Sequence, residues 1–169
     1  MGQFGIGQSV TRIEDLRLLT GGGNYTDDVK LNNECHAFVL RSPHAHAEIG
    51  AVDTAAAEAA PGVLLVLTSE DMESDNIGPM PCMFPVSNIN GTENVKPRRP
   101  VLAEGRARHA GEPVALVVAE TQSQARDAAE LIEVDYTPLA AATHTFGSAQ
   151  DGAPQVHDEA PNNICFDWG

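Results

Sequence analysis

Positive charge is scarce in this sequence. Ten Lys and Arg residues stand against 24 Asp and Glu over 169 residues, a formal net charge of −14. Such a field repels phosphate backbones and anionic lipid headgroups, which disfavours nucleic-acid and membrane-surface roles. Cysteine is also sparse. Cys35, Cys82 and Cys165 are odd in number, far apart and without a CxxC pair. That excludes a disulfide framework and a zinc site, and points to a reducing compartment, the cytoplasm. No apolar run reaches the 18 residues a membrane-spanning helix needs. The opening stretch MGQFGIGQSVTRIEDL has no basic region followed by a hydrophobic core, so no secretory leader is expected. The phosphate-loop pattern GxxxxGK with Ser or Thr is missing too.

What is present is ordinary for a globular protein. Hydrophobic residues make up 42% of the chain, and about 100–200 residues is the usual size of one domain. A core of that size needs no staple. Thr11-Arg12-Ile13-Glu14 has capping-box spacing. A short stripe of Ile13, Leu16 and Leu18 or Leu19 follows, ended by Gly21-Gly22-Gly23. Two turns are marginal alone, so this helix is expected to lie on something.

The run Cys35–Leu40 is apolar on both alternating faces and predicts a strand covered on each side, interrupted at Ser42-Pro43. A second extended stretch covers 47–52. Asp53-Thr54 caps a helix over 55–60, Pro61-Gly62 stops it, and 63–68 reads as a buried strand. Residues 73–100 form a long connection with one basic spot, Lys96-Pro97-Arg98-Arg99. Its simplest fate is a solvated loop end; a specific anion site is the alternative. Residues 113–119 give the clearest strand. In the helix starting at Thr121-Gln122, Ala125, Ala128, Ala129 and Ile132 share one face. Residues 133–136 alternate as an outer strand. The expected organisation is an α+β domain over residues 1–146 and an irregular tail over 147–169.

Three constellations invite chemistry. Gly5-Ile6-Gly7 and Gly21-Gly22-Gly23 lack the strand-before, helix-after order of a dinucleotide fingerprint and read as turns. His44-Ala45-His46 would place two imidazoles on one side of an extended strand, so a metal could bridge them if His36, His109 or an acid supplied a third ligand. Hydrogen bonding is the simpler fate of His46. Glu112 would act as a general base if buried, although a Gly-Glu-Pro turn more often holds a solvated or salt-bridged acid. No serine sits in a nucleophile elbow, and no cysteine has an evident activating partner.

Five segments occur in order: GQSVTRIEDLRLLTGGGNYTDDV, LRSPHAHAEI, VDTAAAEAAPGVLLVLTSEDM, PVLAEGRARHAGEPVALVVAE and ARDAAELIEVDYTPLAAA. Together they resemble the N-terminal α/β-hammerhead domain of molybdenum hydroxylase large subunits, the family of xanthine dehydrogenase, aldehyde oxidase and aerobic carbon monoxide dehydrogenase. The resemblance implies an α+β fold, the α/β-hammerhead, with a mixed sheet and short helices packed on it. It implies a parent enzyme that oxidises carbon monoxide, an aldehyde, a purine or an N-heterocycle. Such an enzyme uses water and a molybdenum–pterin cofactor, with iron–sulfur and FAD modules on partner subunits. The cofactor would be held by domains beyond residue 169, leaving this portion without a catalytic or cofactor-binding residue, structural in role and prone to self-association.

Arg41, Ser42, Pro43 and His46, with Gly111, Glu112 and Pro113, carry over as motif positions for packing or for contacts to the cofactor domains or a partner subunit. His44 falls on a more variable position. Residues 105–110 depart from the family's D-x-V-R-Y-V-G by replacing apolar and aromatic residues. The alternative reading is a stand-alone metal- or anion-binding module built on His36, His44, His46 and the basic spot at Lys96–Arg99.

Overall fold

The computed structural model describes residue 7, residues 11–83 and residues 86–168. Gly5 and Ile6 of the first glycine pair, residues 8–10 of the first family segment and Gly169 lie outside the described residues. The chain divides into two units, residues 1–34 and 35–169.

The first unit holds the helix α1, Asp15–Leu19, and a 3-10 turn, Thr26–Asp28. The helix begins three residues later than the Thr11–Glu14 spacing predicts, with Glu14 in place of Thr11 at its N-cap. Its start is fastened by Arg12, whose main-chain N–H and Nε both donate to the Asp15 carboxylate at 3.3 and 3.1 Å. Gly21 and Gly22 donate to the carbonyls of Leu18 and Arg17, closing the helix as expected. In the apolar stripe Ile13, Leu16 and Leu19 are exposed and Leu18 is half-buried.

The second unit contains β1 (His36–Arg41), β2 (Ala47–Asp53), α2 (Ala55–Glu58), β3 (Val63–Leu67), α3 (Ser69–Ser74), β4 (Arg106–Ala107), β5 (Pro113–Ala119), α4 (Gln122–Ala129) and β6 (Glu133–Pro138). The α+β hammerhead class stands, but the strands form two antiparallel three-stranded sheets in place of one mixed sheet. Their orders are β1-β5-β3 and β4-β2-β6. Successive strands alternate between the two sheets without exception. The strand–helix–strand run β2-α2-β3 therefore hands the chain from one sheet to the other.

β5 is the centre of the first sheet, as its β-branched, apolar sequence suggests. On one face Phe38, Val117 and Val66 align across the three strands. That face is covered by α2 and α4, with Ala57, Ala128, Ala129 and Ile132 in the core cluster. Thr121 caps α4, its hydroxyl accepting the Gln124 N–H at 3.2 Å. Alanine on the inner face lets the helix approach the sheet without large side chains between them. Arg126 of the same helix lies 5.9 Å over the Phe38 ring.

The opposite face is different. Val39, Leu116 and Leu67 form one cross-strand row and Ala37, Val118 and Leu65 the next. All six are half-buried or exposed, with Leu65 at 47%. β1 and β3 are thus edge strands with one open apolar face, where the sequence predicted strands buried on both sides. α2 is a single turn. Its first N–H is met by Asp53 Oδ1 at 3.0 Å, while Thr54 donates its hydroxyl to Glu58 in place of capping. Gly62 ends the turn at φ +77°, a conformation that favours glycine.

The irregular connection predicted over 73–100 runs from 75 to 105, since α3 extends to Ser74 and order resumes only at Arg106; one bridge joins Ser87 and Glu93 within it. The segment after residue 146 has only the 3-10 turns Gly147–Ala149 and Pro161–Asn163. It is stitched to the long connection: Ile89 and Val95 donate to the carbonyls of Asp167 and Cys165, and Asp167 N–H donates to Asn88 Oδ1. No disulfide joins the three cysteines. Among the described residues, no helix is long and apolar enough to cross a membrane.

Val117 is fully buried at the centre of this packing. Truncating it to alanine removes two methyl groups and leaves a gap against α4, a loss of about 2 kcal/mol. Urea unfolding of Val117→Ala should show a lower midpoint at unchanged slope.

Candidate functional site

The Arg41-Ser42-Pro43 and Gly111-Glu112-Pro113 motifs lie far apart in sequence and meet in the structure. The β1–β5 register shifts at Leu40/Arg41, and the chain past this bulge is held by a ring of hydrogen bonds. Ser42 N–H donates to the Glu112 carbonyl at 2.9 Å, and Gly111 N–H donates to the Ser42 carbonyl at 2.8 Å. Arg41 donates Nη1–H to the Gly111 carbonyl at 2.8 Å. Gly111 sits at φ +84°, with open space where a Cβ would point, so the constraint is conformational. Pro113, at the head of β5, accepts the Ala103 N–H at 2.7 Å.

Ser42 is 2% exposed, and its hydroxyl accepts the His44 N–H at 3.1 Å. The turn this makes keeps residues 42–46 out of extended geometry. The two imidazoles therefore diverge, contrary to the shared-face expectation. His44 packs on Tyr136, with ring centroids 4.9 Å apart. His46 is buried and places Nδ1 2.7 Å from the Ala140 carbonyl, which only accepts, so Nδ1 carries the proton. Leu139 N–H donates back to the His46 carbonyl at 2.9 Å, clamping the exit from β6. The Tyr136 hydroxyl is raised above its ordinary pKa by burial, partly offset by a hydrogen bond to Ser42. Among the described residues no three His, Cys, Asp or Glu side chains converge to hold a metal ion.

Glu112 is 12% exposed at its side chain, but its carboxylate is already in use. It accepts the Arg108 main-chain N–H and lies 3.7 Å from His109 Nδ1. This is the geometry of a structural acceptor that closes the 108–112 turn.

Sequence reasoning missed one feature. Arg98 and Arg99 of the basic spot, Arg108 and His109 of the departing segment, and His157 of the tail line one cavity of about 450 Å³. The signal is the scarcity of cations: Arg106 and Arg108 form a second basic cluster in so acidic a chain. His157 is half-buried, and burial holds its pKa below the ordinary 6.5, helped by the Arg108 charge.

A family model described as the aldehyde oxidase and xanthine dehydrogenase a/b hammerhead domain matches residues 20–140. The chain belongs to this family. The hammerhead chain is 40% identical over 159 residues to the nicotine 6-hydroxylase large subunit of Paenarthrobacter nicotinovorans, covering 94% of this chain and 19% of that one. It is 37% identical to the carbon monoxide dehydrogenase large chain of Afipia carboxidovorans, covering 95% and 18%. The solved quinoline 2-oxidoreductase from Pseudomonas putida 86 superposes with a TM-score of 0.74 at 41% identity, over 90% of this chain and 19% of that one. This hammerhead chain thus spans about a fifth of the length of the curated relatives it matches.

The depressed His157 pKa has a direction in folding. The unfolded chain takes up the proton first as pH falls, so stability is complete above 6.5 and declines below it towards the lower folded value. Thermal midpoints measured from pH 8 to pH 5 should fall less steeply in His157→Gln than in the unaltered chain.

Proposed function

We propose that the chain is the hammerhead part of a molybdenum hydroxylase large subunit and serves as a structural and interface domain, not as the seat of the chemistry. The parent enzyme would oxidise a small substrate with oxygen drawn from water. Carbon monoxide, aldehydes, purines and N-heterocycles are the candidate classes, and the relatives are themselves named for nicotine, carbon monoxide and quinoline. The molybdenum–pterin group would be held by the remaining four-fifths of the subunit. Iron–sulfur and FAD subunits would carry electrons onward, in the cytoplasm.

The motif residues Arg41, Ser42 and Glu112 support this reading through hydrogen bonds with main-chain groups that hold the strand ends, as does His46 through Nδ1, while its buried Nε2 has no hydrogen-bond partner. The observation that carries the interface role is the open face of the β1-β5-β3 sheet. An apolar face with Ala37 and Leu65 exposed and Val39, Leu116 and Leu67 half-buried beside them is an interface in waiting, since water gains by its removal. In this proposal the hammerhead proper runs to residue 146, and residues 147–169 lead towards the cofactor-binding region.

Two measurements test the proposal. The purified chain should carry no molybdopterin and reduce no dye with an aldehyde, purine or N-heterocycle; turnover by this chain alone would sink the structural reading. Light scattering should also show self-association that Leu65→Asp suppresses, whereas a strictly monomeric chain that binds no hydrophobic dye would remove the interface reading.

A further inference from the structure

The cavity between the long connection, the 108–112 turn and the tail is unlike the rest of the molecule in charge. Its ionisable lining is Arg98, Arg99, Arg108, His109, Glu112 and His157. Three of the ten Lys and Arg residues of a chain with net charge −14 therefore converge on one hollow. Arg98 is compensated by Glu104 at 2.8 Å. Glu112 is turned to the Arg108 main chain and to His109. Among the described residues, Arg99 and Arg108 form no ion pair with a carboxylate.

A second, independent observation concerns Arg108 itself. Its Nη1 donates weakly to the Arg106 carbonyl at 3.3 Å, and its Nε is buried with no hydrogen-bond partner. A guanidinium is a permanent cation, and leaving one of its donors dry and unmatched is costly. A cavity of about 450 Å³ is within the usual range for small ligands, about 300–1,000 Å³.

We propose that this cavity is a binding site for a small oxyanion, a phosphate or carboxylate group held by the guanidinium groups of Arg99 and Arg108. Planar guanidinium forks match both oxyanions geometrically, and charge-assisted hydrogen bonds are the strong ones. The apolar wall of Met80, Pro100 and Val101 excludes water from one side and so strengthens the attraction. His157 reports on occupancy. The charged groups acting on it are Arg108, Glu159, Glu112 and Asp158, with Arg108 opposing its protonation. A bound anion offsets that charge and raises the His157 pKa. The inference does not rest on the family's redox chemistry, so either can fail while the other stands.

The test follows the His157 ring signal by NMR across pH 5 to 8, in sodium chloride and then at equal ionic strength with inorganic phosphate or sodium acetate. A rise in its titration midpoint with phosphate alone marks a phosphate-type ligand, and with acetate alone or with both, a carboxylate-accepting site. Arg108→Met and Arg99→Met should each weaken binding about tenfold, the loss of one charge-assisted hydrogen bond. Arg99 is exposed and lends the fold only its main-chain carbonyl, which accepts the Met80 N–H, so that variant keeps its structure. No shift beyond chloride with either anion, or a shift undiminished in both variants, overturns the proposal.

Discussion

The fold rests on how closely α4 can lie against the central strand β5, and alanine sets that distance. Ala115 and Ala119 of the strand and Ala125, Ala128 and Ala129 of the helix are all at most 1% exposed. Among the described residues, Val114 and Val117 are the largest side chains buried to the same degree. A core made of methyl groups stabilises through dense contact more than through large apolar area. It also leaves little room for adjustment, because any added carbon on the helix face must push the axis away from the sheet. Everything outward from this seam, including the two motif turns at the ends of β1 and β5, inherits its position from it.

Much of this was legible in the sequence where periodicity and turn chemistry agreed. β5, α4 with its Thr121 cap, and β6 as an outer strand follow from apolar runs and from the alanine spacing. The sheet assignment did not. Val63–Leu67 and His36–Arg41 are apolar enough for buried strands, yet each has a neighbour on one edge only and an open face, because composition cannot say what covers a strand. His46 does hydrogen-bond to the backbone as expected, but the shared face drawn for His44 and His46 fails for a related reason. Ser42 accepts the His44 N–H and bends the segment, and a two-residue spacing has meaning only in extended backbone.

The family motifs and the basic cavity show two contrasting uses of polar groups. Around Ser42 and Glu112 the donors and acceptors close on one another, and the result is a rigid joint between strand ends. Around Arg108 they do not close. The basic spot at Lys96–Arg99 and the segment at 105–110 were both visible as departures in composition or pattern. Their meeting depends on the path of some 60 residues of chain between Arg98 and His157, which no local pattern encodes.

The strict alternation of strands between sheets has a kinetic meaning. No two consecutive strands pair, and the nearest partners in either sheet, Leu67 and Leu116, are 49 positions apart. β1 spans 72 to 83 positions to reach β5. Among the described residues the one local pairing is the Ser87–Glu93 bridge, outside both sheets, so loop-closure entropy is lost before any sheet ladder repays it, and folding is slow for a chain of this size. On the ribosome, neither sheet completes until its last strand has emerged, β5 for one and β6 for the other. The nascent chain must carry its unpaired edges, β1 and β3 among them, for most of its synthesis.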